Sequence, residues 1–185
     1  MRRGRFIVLA GPSGVGKGTV ARYIVENFDG FALSISATTR SPRPGEQDGQ
    51  DYYFLEREVF EQMIQDGQLL EWALVHGQNY YGTPRDRAES LVASGLDVIL
   101  EIDLQGARQV KQAMPEALSI FLEPPSIEVL RERLANRGTE SEAERLIRLQ
   151  TAQVELAAKG EFDLVLVNDQ VSDCAKKVVD WLQSQ

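Results

Sequence analysis

The stretch Gly11–Thr19, GPSGVGKGT, follows the apolar run RFIVLA at 5–10 and precedes Val20, Tyr23, Ile24 and Phe28, which recur at helical spacing. Glycines at 11, 14 and 16 permit backbone conformations that turn N–H groups inward. The helix that follows offers its positive end, and Lys17 adds a point charge. Strand, glycine-rich loop and helix in that order make a phosphate-binding loop inside an α/β core. One position departs from the pattern G-x-x-x-x-G-K-[ST]: Gly18 stands where a hydroxyl would meet Mg²⁺.

Outward from the loop, short apolar runs alternate with amphipathic stretches. DVILEI at 97–102, LSIFLE at 118–123 and FDLVLV at 162–167 read as core strands, and the last helix puts Ala175, Val178, Val179 and Leu182 on one face. This rhythm predicts strand-helix units feeding a parallel sheet. Two segments break it. The first opens with ATTRSPRPGEQDGQDYYF, too rich in Pro and Gly for a long helix, and continues through a helix near 56–66, the alternating strand LLEWALVHG, and NYYGTP. The second is two helices joined at NRGTES, where Gly138 would end one helix and Thr139 or Ser141 cap the next, and it carries Arg131, Arg133, Arg137, Arg145 and Arg148. The expected architecture is α/β. It is a three-layer P-loop core with a parallel sheet (about 4–34, 91–124 and 159–185), an inserted mixed α/β lobe (about 35–90) and a helical lid (about 125–158), in a single domain over 1–185.

Composition bounds the function. A chain of 185 residues fits one domain with a proper core. Its 28 Asp+Glu against 20 Lys+Arg give a net charge of -8, which excludes a general attraction to nucleic acid or an anionic membrane. Anion binding must therefore be local, and the count of 15 Arg against 5 Lys favours the planar group that grips phosphate through two bonds. The single cysteine, Cys174, lies in an apolar helical pattern that suggests packing and suits a reducing compartment. Arg2 and Arg3 precede only five apolar residues, Phe6–Ala10, too few for an export signal, and no apolar run approaches the ~18 residues of a membrane span. A cytoplasmic location is expected.

A second motif, VILEIDLQG, ends an apolar strand in Glu101 and Asp103, two apart and so facing the same way. Such carboxylates can hold Mg²⁺ through its waters or meet a substrate hydroxyl. DLQG at 103–106 also satisfies the D-x-x-G element of a GTPase switch. Against that reading, Gly18 removes the hydroxyl a GTPase uses for Mg²⁺, and NDQV at 168–171 lacks the lysine of a guanine-reading N-K-x-D turn. Within the first inserted segment, Arg40, Arg43, Tyr52 and Tyr81 suit a phosphate monoester, and Glu71 can accept from both N1–H and the 2-amino group of guanine. A hydroxyl from Ser36 or Thr83 is free to donate to guanine O6.

Taken together, GPSGVGKGT, SISATTRSPRPGEQDGQDYYF, LLEWA, YYGTP, LEIDLQGA, RLANRGTESEAERLIRLQTAQVEL and LVLVND make the chain resemble the guanylate kinases nearly end to end. The resemblance implies transfer of the γ-phosphoryl group of ATP to GMP, giving ADP and GDP, in guanine nucleotide synthesis and recycling. It implies Mg²⁺ as cofactor, ATP and GMP as substrates with dGMP as a further acceptor, and no obligate protein partner. It implies that Ser36, Glu71 and Thr83 read guanine, that Arg40, Arg43, Tyr52 and Tyr81 hold the GMP phosphate, and that Asp103 lies near GMP and the metal. For ATP it implies the loop residues Gly11, Pro12, Ser13, Gly14, Val15, Gly16, Lys17, Gly18 and Thr19, with Asn168 beside the adenine. Lys17 and Arg40, with Arg133, Arg137 and Arg148 of the lid, form the implied catalytic set. With Gly18 in place of a hydroxyl residue, Mg²⁺ is expected to rest mainly on phosphates and on waters near Glu101 and Asp103. A GMP phosphate with a second pKa near ~6 is already a nucleophile at neutral pH. No general base is needed, so the one histidine, His76, has no expected chemistry. A GTPase and a non-catalytic interaction domain remain as rival readings, the second disfavoured by the intact Lys17 and the lid arginines.

Overall fold

A computed structural model describes residues 3–75, 77–135 and 142–185, except for the side chains of 142–145. His76, Arg137 and the expected helix end and caps at Gly138, Thr139 and Ser141 lie outside the described residues. The chain divides into two compact units. The first comprises residues up to 8 and 30–117, and the second 9–29 and 118–185.

A five-stranded sheet has the order β2-β7-β1-β8-β9. β1 (Phe6–Ala10) is divided between the units after Val8. In the first unit β2 (Phe31–Leu33) runs parallel to β7 (Asp97–Glu101), pairing Ala32 with Val98. In the second, β8 (Leu118–Glu123) runs parallel to β9 (Leu164–Val167), pairing Phe121 with Val165. Ile7–Ala10, Val98–Leu100 and Ile120–Leu122 are all buried, the unbroken apolar run that a strand covered on both faces requires. The parallel α/β core read from the sequence is present.

The first unit adds a mixed four-stranded sheet, β4-β3-β6-β5. It is built from β3 (Ala37–Thr38), β4 (Tyr53–Phe54), β5 (Leu69–Val75) and β6 (Asn79–Pro84), with α2 (Arg57–Gln65) and α3 (Arg85–Ala93) following β4 and β6. β3 pairs parallel with β4 and antiparallel with β6, and β5 pairs antiparallel with β6 through a register shift between Leu69 and Trp72. Phe60 of α2 fills a small core of its own with Ala37 and Leu69. After β7 comes α4 (Leu104–Ala113), capped by Asp103, whose carboxylate accepts from Gly106 N.

The second unit holds α1 (Lys17–Asn27), α5 (Ile127–Ala135), α6 (Glu142–Ala157), a single turn at Lys159–Glu161, and α7 (Val171–Gln183). α7 buries Cys174, Ala175, Val178, Val179 and Leu182, the stripe its spacing predicted, and α1 packs against it. Cys174 is a buried packing residue whose thiol is pushed up to about 11 by burial. Among the described residues no helix is long and apolar enough to cross a membrane.

Candidate active site

In the second unit β1 delivers the chain to the phosphate loop, and Gly16 carries it into α1. Gly16 is the N-cap of α1 in a left-handed conformation, φ 96°, and a β-carbon there would lie 2.6 Å from Asn168 Nδ2. Only glycine satisfies both the angle and the approach. Gly11, φ 146°, sits so close to the Leu122 carbonyl that a β-carbon would overlap it. Lys17 Nζ donates to Gly11 O (2.6 Å) and Pro12 O (3.4 Å), so its charge rests on its own loop. Val15 O accepts from Asn168 Nδ2 (2.8 Å) and Arg133 Nη1 (3.2 Å). Arg133 also donates to Asn168 O (3.5 Å from Nη1, 3.4 Å from Nη2), and Arg148 Nη1 donates to Ser13 Oγ (3.1 Å). Arg133 of α5 and Arg148 of α6 are thus brought onto the loop.

Beside the loop lies a cavity of about 280 Å³ lined by Gly14, Gly16, Thr19, Arg133, Asn168, Asp169 and Val171. Asn168 is 2% exposed, and its Oδ1 is a buried acceptor with no hydrogen-bond partner among the described residues. Its amide nitrogen is committed to Val15 O, which fixes which way the amide points. Gly18 falls in the first turn of α1, and Thr19, one residue later, is exposed.

The first unit carries the other half of the expected residues. Register places Glu71 and Thr83 side by side, because Trp72 and Gly82 are partners across β5 and β6. Ser36 comes one step before the Ala37–Gly82 pair, opposite Thr83. Thr83, fully buried, donates from Oγ1 to Glu71 Oε1 at 2.6 Å, so the hydroxyl expected to be free for guanine O6 spends its one proton on Glu71 instead. Glu71 is 4% exposed, and burial first, with the nearby Asp103 charge adding and the Thr83 bond opposing, pushes its carboxyl up to about 7.

Arg40, Tyr52 and Tyr81 form a second cluster. Arg40 Nε donates to Tyr81 Oη (3.2 Å), the guanidinium lies 5.3 Å from the Tyr52 ring centroid, and the two tyrosine rings meet edge to face at 6.0 Å. Burial, and second the Glu101 charge, holds the Tyr52 phenol protonated, pushed up to about 12, so it can donate to an anion. Arg43 is exposed and joins through its main-chain N–H, which donates to Glu46 Oε2 at 2.7 Å.

Glu46 is a residue the sequence reading missed. Its two oxygens accept from Arg40 Nη1 and Nη2, both at 2.9 Å, and the Arg40 bonds hold its carboxyl below the usual range. A carboxylate gripped through two parallel bonds presents to Arg40 the same pair of anionic oxygen acceptors that the phosphate expected there would offer. The i, i+3 spacing of Arg43 and Glu46 around Pro44-Gly45 was the available signal. Strand alternation put Glu101 and Asp103 on one face. β7 stops at Glu101, and Asp103 spends Oδ1 on the α4 cap, accepting from Gly106 N at 2.8 Å.

The guanylate kinase family matches this sequence over residues 3–185. The chain belongs to the guanylate kinase family. It is 58% identical over 181 residues to a guanylate kinase of Leifsonia xyli subsp. xyli, covering 98% of this chain and 71% of that one. A guanylate kinase of Synechocystis sp. is 53% identical, covering 96% of this chain and 92% of its own length. Among solved structures, guanylate kinase from Anaplasma phagocytophilum superposes with a TM-score of 0.82 at 36% identity, covering 99% of this chain and 86% of that chain.

Proposed function

We infer that this protein is an ATP:GMP phosphotransferase, moving the γ-phosphoryl group of ATP to GMP and releasing ADP and GDP for guanine nucleotide synthesis and recycling. One observation carries the reading beyond family membership. The guanine-type acceptor, Glu71 bonded to Thr83, belongs to the first unit, whereas the phosphate loop belongs to the second. A GTPase reads the base of the same nucleotide whose phosphates its loop holds. Here the base position beside the loop, within the loop's own unit, offers the Asn168 Oδ1 acceptor that suits adenine, so the acceptor for guanine at Glu71 is left for a second nucleotide.

On this reading GMP takes Ser36, Glu71 and Thr83 at its base and Arg40, Arg43, Tyr52 and Tyr81 at its phosphate, displacing Glu46 from Arg40. Asp103 serves GMP through its oxygen outside the cap. ATP takes the loop 11–19, with its adenine in the cavity beside Asn168, whose lone Oδ1 suits the 6-amino donor of adenine and not the 6-oxo acceptor of guanine. Lys17, Arg40, Arg133, Arg137 and Arg148 neutralise the phosphates as two polyanions approach in line, which is most of what such a transfer needs.

Glu101 and Asp103 supply hard oxygen donors, and among the described residues no group of three or more acidic, histidine or cysteine side chains could cage a metal. That donor set fits Mg²⁺ held through waters at Glu101 and Asp103, where it would supply positive charge to offset that of the phosphates. The same reading assigns a core to about 4–34, 91–124 and 159–185, a GMP lobe to about 35–90 and a lid to about 125–158. A cytoplasmic enzyme that also accepts dGMP completes the proposal.

A coupled assay of ADP release from MgATP with GMP, AMP, UMP or no acceptor tests it. GMP-dependent ADP is expected. ADP formed equally without GMP would overturn the reading in favour of a nucleoside triphosphatase.

A further inference from the structure

DLQG at 103–106 satisfies the D-x-x-G pattern, and phosphoryl transfer to GMP leaves its glycine unexplained. Gly106 sits in the first turn of α4 without a left-handed backbone, so its conformation is open to any residue. Glycine is the poorest helix former after proline, and something other than φ must require it. That requirement is space. A β-carbon at Gly106 would overlap Glu71 Oε2 and lie 3.1 Å from Glu71 Cδ. The carboxylate is therefore laid directly on the helix backbone on one side, with Thr83 Oγ1 bonded to Oε1 on the other.

Three residues on, and so on the same face of α4, Gln109 fixes the main chain next to Glu71. Its Oε1 accepts from Trp72 N at 3.1 Å and its Nε2 donates to Trp72 O at 2.6 Å, as a neighbouring strand would. This happens where the β5–β6 register shifts between Leu69 and Trp72 and the regular ladder lapses. Glu71 thus sits within a bulge whose backbone and side chain are both set by α4.

We propose that Gly106 and Gln109 are specificity-determining positioning residues, which fix where the Glu71 carboxylate stands so that it meets N1–H and the 2-amino group of guanine together. The proposal rests on the reading that Glu71 receives guanine. Two donors on a rigid base edge demand a carboxylate fixed in both tilt and depth, and a small displacement breaks one bond before the other. Inosine 5′-monophosphate, which keeps N1–H but lacks the 2-amino group, reports that loss.

The test compares steady-state constants for GMP, inosine monophosphate and ATP in Gly106→Ala, Gln109→Ala, Glu71→Gln, Glu71→Asp and Gly106→Ala/Glu71→Asp. Gly106→Ala should raise KM for GMP roughly 10- to 100-fold and narrow the preference for GMP over inosine monophosphate, with KM for ATP within about twofold of the parent. The shorter carboxylate in the double variant should recover part of the GMP preference relative to Gly106→Ala, a rescue that general destabilisation does not produce. If Gly106→Ala does not fold, Gln109→Ala decides, with an expected rise of roughly 3- to 10-fold in KM for GMP and a smaller preference ratio. Unchanged GMP KM and preference in Gln109→Ala and in any folded Gly106→Ala overturn the proposal. If Glu71→Gln loses the preference while the α4 variants keep it, only this inference falls; if Glu71→Gln keeps it, the guanine assignment of Glu71 falls as well.

Discussion

The surroundings of Glu71 oppose its ionised form. Its carboxyl, pushed up to about 7, is raised above the ordinary 4.5, so its contribution to stability is fully present below the unfolded value and is lost as pH rises through about 7. Glu71→Gln keeps the shape without the charge. In calorimetry it should melt higher than the parent near pH ~8, with the gap shrinking toward pH ~6, and a gap independent of pH would show that Glu71 does not titrate in this range. The parent's affinity for GMP should fall as pH drops below 7, because only the ionised carboxylate accepts both guanine donors. Lys17 makes the opposite case, a charge already resting on loop carbonyls. Lys17→Ala should lower kcat by roughly 10²- to 10⁴-fold with the Kd for GMP, by calorimetric titration, within about threefold. Roles of this kind can be proposed from sequence where a ligand's chemistry demands them: a carboxylate such as Glu71 matches the paired donors of guanine. Glu46 is legible only in part: its spacing from Arg43 marks the turn, but nothing there announces that its carboxylate will hold Arg40, six residues earlier.

Elements were legible where one signal sufficed. β1, β7 and β8 announce themselves as unbroken apolar runs, and α7 as a regular stripe, because burial on two faces or one leaves those traces. β3 and β4 leave none, being two residues each inside a segment rich in turns and held by pairing with each other and with β6. Asp is a favoured cap, so Asp103 marks the start of α4, but the apolar strand that runs up to it imposes the pattern of alternation on the same residue. At the start of α1, Gly16 combines a left-handed angle with a tight approach to the Asn168 amide. Gly16→Ala should cost at least about 1–2 kcal/mol in urea unfolding and raise KM for ATP more than KM for GMP, because the strain is relieved by moving Asn168. Equal effects on both substrates would show that the strain is not local to the loop.

At the level of the whole chain, the net charge of -8 argued against any broad anion-attracting surface, and the arginines of the site accordingly act in place. Arg133 and Arg148 engage the loop, and Arg40 is matched to Glu46. The residues assigned to the two nucleotides separate cleanly between the two units, although the chain passes between units after Val8, Asp29 and Ala117. Hydrogen exchange should show this division. GMP alone should slow exchange in β5, β6 and the first turn of α4, and a non-hydrolysable ATP analogue with Mg²⁺ should slow it in the loop 11–19 and around Asn168. Equal protection of both regions by either ligand alone would reverse the assignment of nucleotides to units.

Cys174, the single cysteine, is buried in α7, and its thiol stays protonated at neutral pH. Maleimide and disulfide-forming reagents will therefore pass the folded chain by. The native sequence is in effect a silent background for thiol labelling, so a spin label or fluorophore on one introduced surface cysteine can be read without first mutating the protein. It also provides an alarm for unfolding: a second labelled site in such a preparation means that α7 has come away from its packing.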